Sequence, residues 1–167
     1  MGASTAMDRT HGRCVSGKRV DGPVPHGHRK VTTPTAAVRL GGVPTSACLA
    51  LDGTTDAMVF ETYAERCLAP ALRPGHIVVM DNLGSHNRPL PIEAIRAAGA
   101  EVRFLPHYSP GFNPIEEMFS ELMAHLRKPK ARQVGALIDA MGEGLAKITA
   151  SDIAGWFKSC GYRQSQT

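Results

Sequence analysis

Two carboxylates at the ends of apolar runs are the residues of this chain best suited to chemistry. The run inside HIVVMDNLGSH, residues 76–86, ends in Asp81. A second run, EVRFLP at 101–106, leads through a loop rich in Pro, Gly and Asn to a helix start bearing Glu116 and Glu117. Acidic groups held at two element ends are how a metal site for phosphodiester chemistry is commonly built. Each position also has a plainer reading. Asp81-Asn82 can simply open a turn. Glu116 can serve as the third residue of a capping box opposite Asn113, and either glutamate favours a helix N-terminus through the dipole.

The helix that carries the two glutamates separates them. Its apolar stripe is Ile115, Met118, Phe119, Leu122, Met123 and Leu126. At about 100° per residue, Glu116 lies roughly 90° from the centre of that stripe and Glu117 near the opposite side. Glu116 therefore borders the buried face and can point into a site, whereas Glu117 points to water. Asn113 is a good N-cap and Pro114 suits the first helical position. Asp81 ends a short run with two valines and an isoleucine, which predicts a buried parallel strand. Open α/β sheets put their sites at such strand ends.

The remaining elements support that pair. Residues 31–40 and 44–51 alternate Val, Thr and Ala around a Gly-Gly-Val link and predict a β-hairpin, with Pro34 at the start or edge of its strand. Residues 56–69 have helical spacing with Asp56 as cap. A helix over 91–99 that stops at Gly99, followed by a strand over 101–106, completes an alternation of strand and helix. Beyond 114 the pattern is helical: a second stripe runs Val134, Leu137, Ile138, Met141, Leu145, and Ser151 is the expected cap of a last short helix. Residues 1–30 read as an irregular segment and 31–167 as the folded domain.

Composition narrows the class. The chain has 167 residues, 43% hydrophobic and 20% charged, as one globular domain would. No apolar run is long enough to span a bilayer and no apolar signal core opens the chain, so a cytoplasmic protein is expected. Four cysteines lie far apart without C-x-x-C spacing, which argues against a disulfide framework or zinc site. A net charge of +4 permits nucleic-acid binding without requiring it. The run Arg127, Lys128, Pro129, Lys130, Ala131, Arg132 can track a phosphate backbone, or can be a solvated helix end.

Taken together, the motifs are specific. DNxxxH at Asp81, Asn82 and His86, joined to YSPGFNPIE at 108–116, resembles the catalytic core of DDE-type transposases of the mariner superfamily, most closely the bacterial insertion-sequence branch, family 630. VPHGHRKVTTPTAAVRLGG, LRPGHIVVMDNLGSHN and the C-terminal GYR are similar to that family as well, so the resemblance runs from about Met7 to Tyr162. Thirty-four residues, 82 to 115, separate Asp81 from Glu116, as in the family's second and third acids. The resemblance implies an RNase H-like mixed sheet flanked by helices. It implies that three carboxylates hold two divalent cations, magnesium or manganese, for DNA cleavage and strand transfer. Asp81 and Glu116 match two of the three acids and metal ligands, and Asn82, His86 and Asn113 match supporting positions. The implied partners are DNA, as transposon ends and target, and a second transposase chain in a homodimer or heterodimer.

One acid is missing from the pattern. The family's first acid lies on an apolar strand ahead of a Met-x-Arg stretch that Met7-Asp8-Arg9 resembles, and here only MGASTA precedes it. The expectation is an N-terminally truncated domain without its first, central strand and inactive alone. Asp8, Asp21 and Asp52 are poor substitutes. The same expectation extends to the family's helix-turn-helix region, which has no counterpart in the residues read here. The loop departs at His107, Gly111 and Phe112, and His26 with His28 forms an H-x-H pair without an acidic neighbour. Two other readings stand beside the catalytic one: a non-catalytic DNA-binding or dominant-negative partner of a full-length transposase, and a gene remnant.

Overall fold

The computed structural model describes residues 2–8, 13–19, 30–53, 55–128 and 131–162. The expected hairpin forms from β2 (Val31–Ala36) and β3 (Cys48–Asp52), antiparallel, with Thr32 opposite Asp52 and Ala36 opposite Cys48. The Ala37 N–H donates to the Ala47 carbonyl at 3.2 Å and the Gly53 N–H to the Val31 carbonyl at 2.7 Å. Odd-numbered residues of β2 therefore face β3 and even-numbered ones face away. Pro34 is even, so its missing donor falls on the far edge and the ladder to β3 loses nothing.

That far edge is partly covered. Within the segment read as irregular, Ala3–Ser4 form a two-residue strand, β1, antiparallel to β2 with Ala3 opposite Thr32. Ala3 is fully buried and packs with Leu122, Leu126 and Leu137. One small apolar residue gives no periodicity for a sequence reading to detect; its burial comes from the register with Thr32.

Helix α1 (Ala57–Tyr63) starts where Asp56 accepts from the Val59 N–H at 2.9 Å, and a wide turn at Ala64–Leu68 prolongs it. The Tyr63 hydroxyl donates to the Ala47 carbonyl at 2.9 Å, and burial pushes its pKa above the usual phenol value. A β-α-β unit follows: β4 (Ile77–Met80), α2 (Pro89–Ala97) and β5 (Glu101–Phe104), parallel, with Ile77 opposite Glu101. Gly99 ends α2 in the left-handed region, where a Cβ would also stand 3.1 Å from Pro74. β4 is less buried than its apolar run suggested: Met80 is buried, but Ile77 is 52% exposed.

Three helices complete the chain: α3 (Pro114–Leu126), α4 (Val134–Ala146) and α5 (Ala150–Ser159). The cap of α5 is Thr149 and not the expected Ser151. The Asp152 N–H donates to the Thr149 hydroxyl at 3.2 Å while the Thr149 N–H donates to the Asp152 carboxylate at 2.9 Å. This reciprocal pair satisfies two helix-end donors. The Thr149 hydroxyl, at 2.6 Å, and the Thr149 N–H both donate to the Asp152 carboxylate and hold it below the usual range.

The described strands make two sheets, β1-β2-β3 and β4-β5, rather than one. The buried residues likewise form two clusters. One lies under α3 and α4 around Leu122, Leu126 and Leu137; the other joins Phe60, Tyr63, Met80 and Ile95. Among the described residues no helix is long and apolar enough to cross a membrane, and the four cysteines are free.

Close packing of α4 on α3 sets opposite signs for two glycine replacements. Alanine in a helix gains about 1 kcal/mol over glycine. At Gly142 a Cβ meets nothing within 4 Å, but at Gly144 it would stand 2.7 Å from Leu122 Cδ1 and 3.0 Å from His125 Cδ2. Overpacking costs about 1–3 kcal/mol, and Leu122 is 1% exposed with little room to yield. Urea unfolding should show Gly142→Ala raising the midpoint and Gly144→Ala lowering it. Equal shifts of one sign would contradict this packing.

Candidate active site

A cleft of about 770 Å³ runs between β2 and β4, and its wall carries Asp81, His86, Asn113 and Glu116. Asp81 follows directly on β4, so its backbone is set by the parallel pairing of Met80 with Phe104. The chain then turns: the N–H groups of His86 and Asn87 both donate to the Leu83 carbonyl, at 2.9 and 3.0 Å. That turn brings His86 back onto Asp81, with Nδ1 in hydrogen-bond contact with Oδ1 of the carboxylate. The imidazole also lies on the Phe60 ring, centroids 4.0 Å apart. Phe60 is buried, so it is a fixed shelf for the histidine that holds the acid. Arg88 pairs with Glu61 at 2.8 Å and ties the same turn to α1.

Asn82 takes a different direction. Its Nδ2 lies 3.1 Å from His107 Nε2, and its Oδ1 accepts from Asn87 at 3.4 Å. Asn82 thus braces the Asp81 turn against the loop before α3, and it places His107 outside the cleft wall.

Glu116 stands in the first turn of α3. The Asn113 side chain accepts from the Ile115 N–H at 3.5 Å, so the cap does not draw Glu116 into a reciprocal box. Glu116 is exposed and lines the cleft together with Ile115 and Phe119. Glu117 lies on another side, towards α5. There burial raises the pKa of the Cys160 thiol, and the charge of Glu117 adds to that rise. Of the two adjacent glutamates, only Glu116 shares a cleft with Asp81.

Two aromatic residues of the site carried no signal strong enough to single them out. Phe60 was one apolar helix position among several. The Tyr162 hydroxyl donates to the Phe112 carbonyl at 3.0 Å, tying the end of α5 to the loop before α3. Only its place in the GYR likeness pointed to it.

Among the described residues no group of three His, Cys, Asp or Glu side chains is arranged to hold a metal ion. Asp52 ends β3 opposite Thr32 and is not on the cleft wall. Asp8 pairs with Arg132 at 3.2 Å. Arg132 also donates to the carbonyls of Thr5 and Met7, at 3.2 and 3.0 Å, so it fastens the N-terminal segment to the start of α4. Arg127 caps the end of α3 and Lys128 is exposed beside it. Lys130, Asp21, His26 and His28 lie outside the described residues. What remains for a metal is two hard carboxylate donors, Asp81 and Glu116, that line the same cleft. That fits a magnesium or manganese ion, which takes one or two carboxylates and completes its shell with water or phosphate oxygens.

Comparison with known proteins places the fold. Residues 1–138 match the family model described as DDE superfamily endonuclease. The chain is similar to the crystal structure of the Mos1 strand transfer complex, at 16% identity and a TM-score of 0.64, covering 95% of this chain and 48% of that one. It is similar also to the Mos1 transposase paired-end complex with left transposon end, at 15% identity and a TM-score of 0.63, covering 95% and 50%. The chain therefore spans about half the length of these structures, and the likeness carries the fold, an RNase H-like mixed α/β domain. No curated protein matches.

The Phe60–His86 contact should be measurable. Stacked aromatic pairs contribute about 0.5–1.5 kcal/mol beyond their buried area. A double-mutant cycle of Phe60→Leu and His86→Ala, followed by urea unfolding, should give a coupling of about that size. Additive effects would show that Phe60 does not support His86.

Proposed function

This chain belongs to the DDE superfamily endonucleases, and from that premise we propose that it is the catalytic-domain part of a DNA transposase of the mariner superfamily, in its bacterial insertion-sequence branch. Its reaction class is metal-dependent DNA cleavage and strand transfer. The observation that carries the reading is the shared cleft: Asp81 and Glu116 both line it and Glu117 does not. Magnesium or manganese would be held by Asp81 and Glu116. A bound pair of such ions would supply activation of the attacking water or 3′-hydroxyl and neutralisation of the leaving oxygen. His86 orients the Asp81 carboxylate, and Phe60 holds His86 in place. Asn82 and Asn113 set the two backbone turns from which the acids project.

The reading includes a deficit. The first acid of the triad has no counterpart on the cleft wall among the described residues, so the chain by itself is inactive. DNA is the proposed partner, with Arg127, Lys128, Lys130 and Arg132 as the basic surface; Arg132 is the weakest of these because its guanidinium is already engaged. Homodimer and heterodimer with a longer transposase are both in keeping with this role. The same missing acid favours a second reading, a non-catalytic DNA-binding partner that lowers the activity of a complete transposase.

The test uses supercoiled DNA with magnesium or manganese. The chain alone should give neither nicks nor strand transfer. A version extended at its N-terminus by an apolar strand ending in Asp-Glu should nick DNA. In that background Asp81→Asn or Glu116→Gln should lower the rate at least about 100-fold, no less than the loss typical of groups one shell further out, whereas Glu117→Gln should not. Strand transfer by the chain alone would refute the deficit. Loss with Glu117→Gln equal to that with Glu116→Gln would refute the assignment.

A further inference from the structure

We propose that Tyr108 is a stacking platform for an unpaired nucleobase of a DNA end held beside Asp81 and Glu116. The contact positions the strand and takes no part in the chemistry. This role rests on the DNA reading above and adds to it a residue that meets a base rather than a phosphate or a metal.

The Tyr108 ring is presented at a cost that the protein does not recover. Among the described residues Tyr108 is the one residue other than glycine with a left-handed backbone, at φ +54°. A Cβ there crowds the following carbonyl, so the conformation favours glycine or asparagine. Burial offers nothing in return, because Tyr108 is 102% exposed. Among the described residues its side chain makes no hydrogen bond, ion pair or ring contact. Backbone strain gathers at ligand clamps, and an exposed apolar side chain beside a site is suited to a ligand that covers it.

The backbone beneath the ring is tied to both acids. The loop over 105–113 leaves β5 at Phe104, which pairs with Met80 next to Asp81, and enters α3 at Pro114, just ahead of Glu116. Its first half is held to the Asp81 turn, where Asn82 Nδ2 lies 3.1 Å from His107 Nε2. Its second half is held by the Tyr162 hydroxyl, which donates to the Phe112 carbonyl at 3.0 Å. Tyr108 lies between these two ties and outside the cleft wall. The same joined segments expose two more apolar side chains, Leu83 and Phe112. Charge decides what such a surface takes. The net charge of +4 draws a nucleic acid to the chain, but Asp81 and Glu116 repel its phosphates locally. Near the acids a strand is better held through an uncharged base. Every base has a π-face, and an exposed aromatic ring stacks on one whose face is open, which is an unpaired base.

The experiment measures binding of the full chain to a DNA hairpin with a short thymidine overhang, to the same hairpin with a blunt end, and to one whose overhang is abasic. Tyr108→Ala should weaken binding of the thymidine overhang about 5-fold or more, the lower end of what stacking on an aromatic side chain supplies. Tyr108→Phe should leave it unchanged, and Tyr108→Ala should bind the blunt and abasic hairpins as the original chain does. Stacking releases no counterions, so the loss should be the same at about 50 and about 200 mM salt. The urea midpoint of Tyr108→Ala should not fall; a fall would make the side chain structural and overturn the proposal. Overhang binding unchanged by Tyr108→Ala, or an equal loss on the abasic overhang, would overturn it and leave the DNA reading standing. No binding of any hairpin would overturn both. A dimer of the chain that is lost with Tyr108→Ala, while overhang binding is kept, would assign the ring to a second copy and overturn the proposal alone.

Discussion

The separation of β2 from β4, which belong to different sheets and line one cleft, is the constraint on which the rest of this structure depends. Each buried N–H and C=O needs a partner, and peptide groups on a strand edge find theirs on the next strand. Among the described residues β2 is paired on the far edge only as far as the two residues of β1, and β4 is paired only to β5. The consequence reaches the core. Buried side chains gather into one cluster against α3 and α4 and another around α1, α2 and β4. Open edges of this kind also invite pairing with other chains.

The acids line the same cleft, and each is fixed by a different local device. Asp81 is held through a chain of contacts: a parallel strand end, a turn closed on the Leu83 carbonyl, the His86 ring and the buried Phe60 shelf. Glu116 is held by a helix start, with Asn113 as cap and Pro114 buried beneath it. Neither device needs a metal, so the pair can be preformed. Preorganisation matters because carboxylates brought together on a rigid scaffold hold a cation without a further ordering cost.

Much of this was legible in the sequence because local chemistry and tertiary demand coincide. Helix α3 was readable from its apolar stripe, its cap and its proline. The hairpin was readable from alternating β-branched residues, and the β-α-β unit from the change of period. The side of α3 on which Glu116 lies followed from the helical angle alone. What stayed hidden had no local signature. Ala3 is buried through its register with Thr32, which no window of sequence reveals. Arg132 reads as a basic surface residue but bonds to carbonyls of Thr5 and Met7, more than a hundred residues away in the chain. Ser151 looked like a cap, yet Thr149 wins because Asp152 stands at the distance that closes a reciprocal box. The exposure of Ile77 was missed because an apolar run does not say whether a neighbouring strand is present.

The central claim is that Asp81 and Glu116 act as one pair of ligands on a divalent ion. Manganese titration of the chain, followed by electron paramagnetic resonance of the free ion, measures it directly. The account predicts that Asp81→Asn and Glu116→Gln each weaken binding at least about 10-fold, the lower end of what even outer-shell groups contribute, while Glu117→Gln leaves it unchanged. Equal weakening by all three substitutions, or none by the first two, would contradict it.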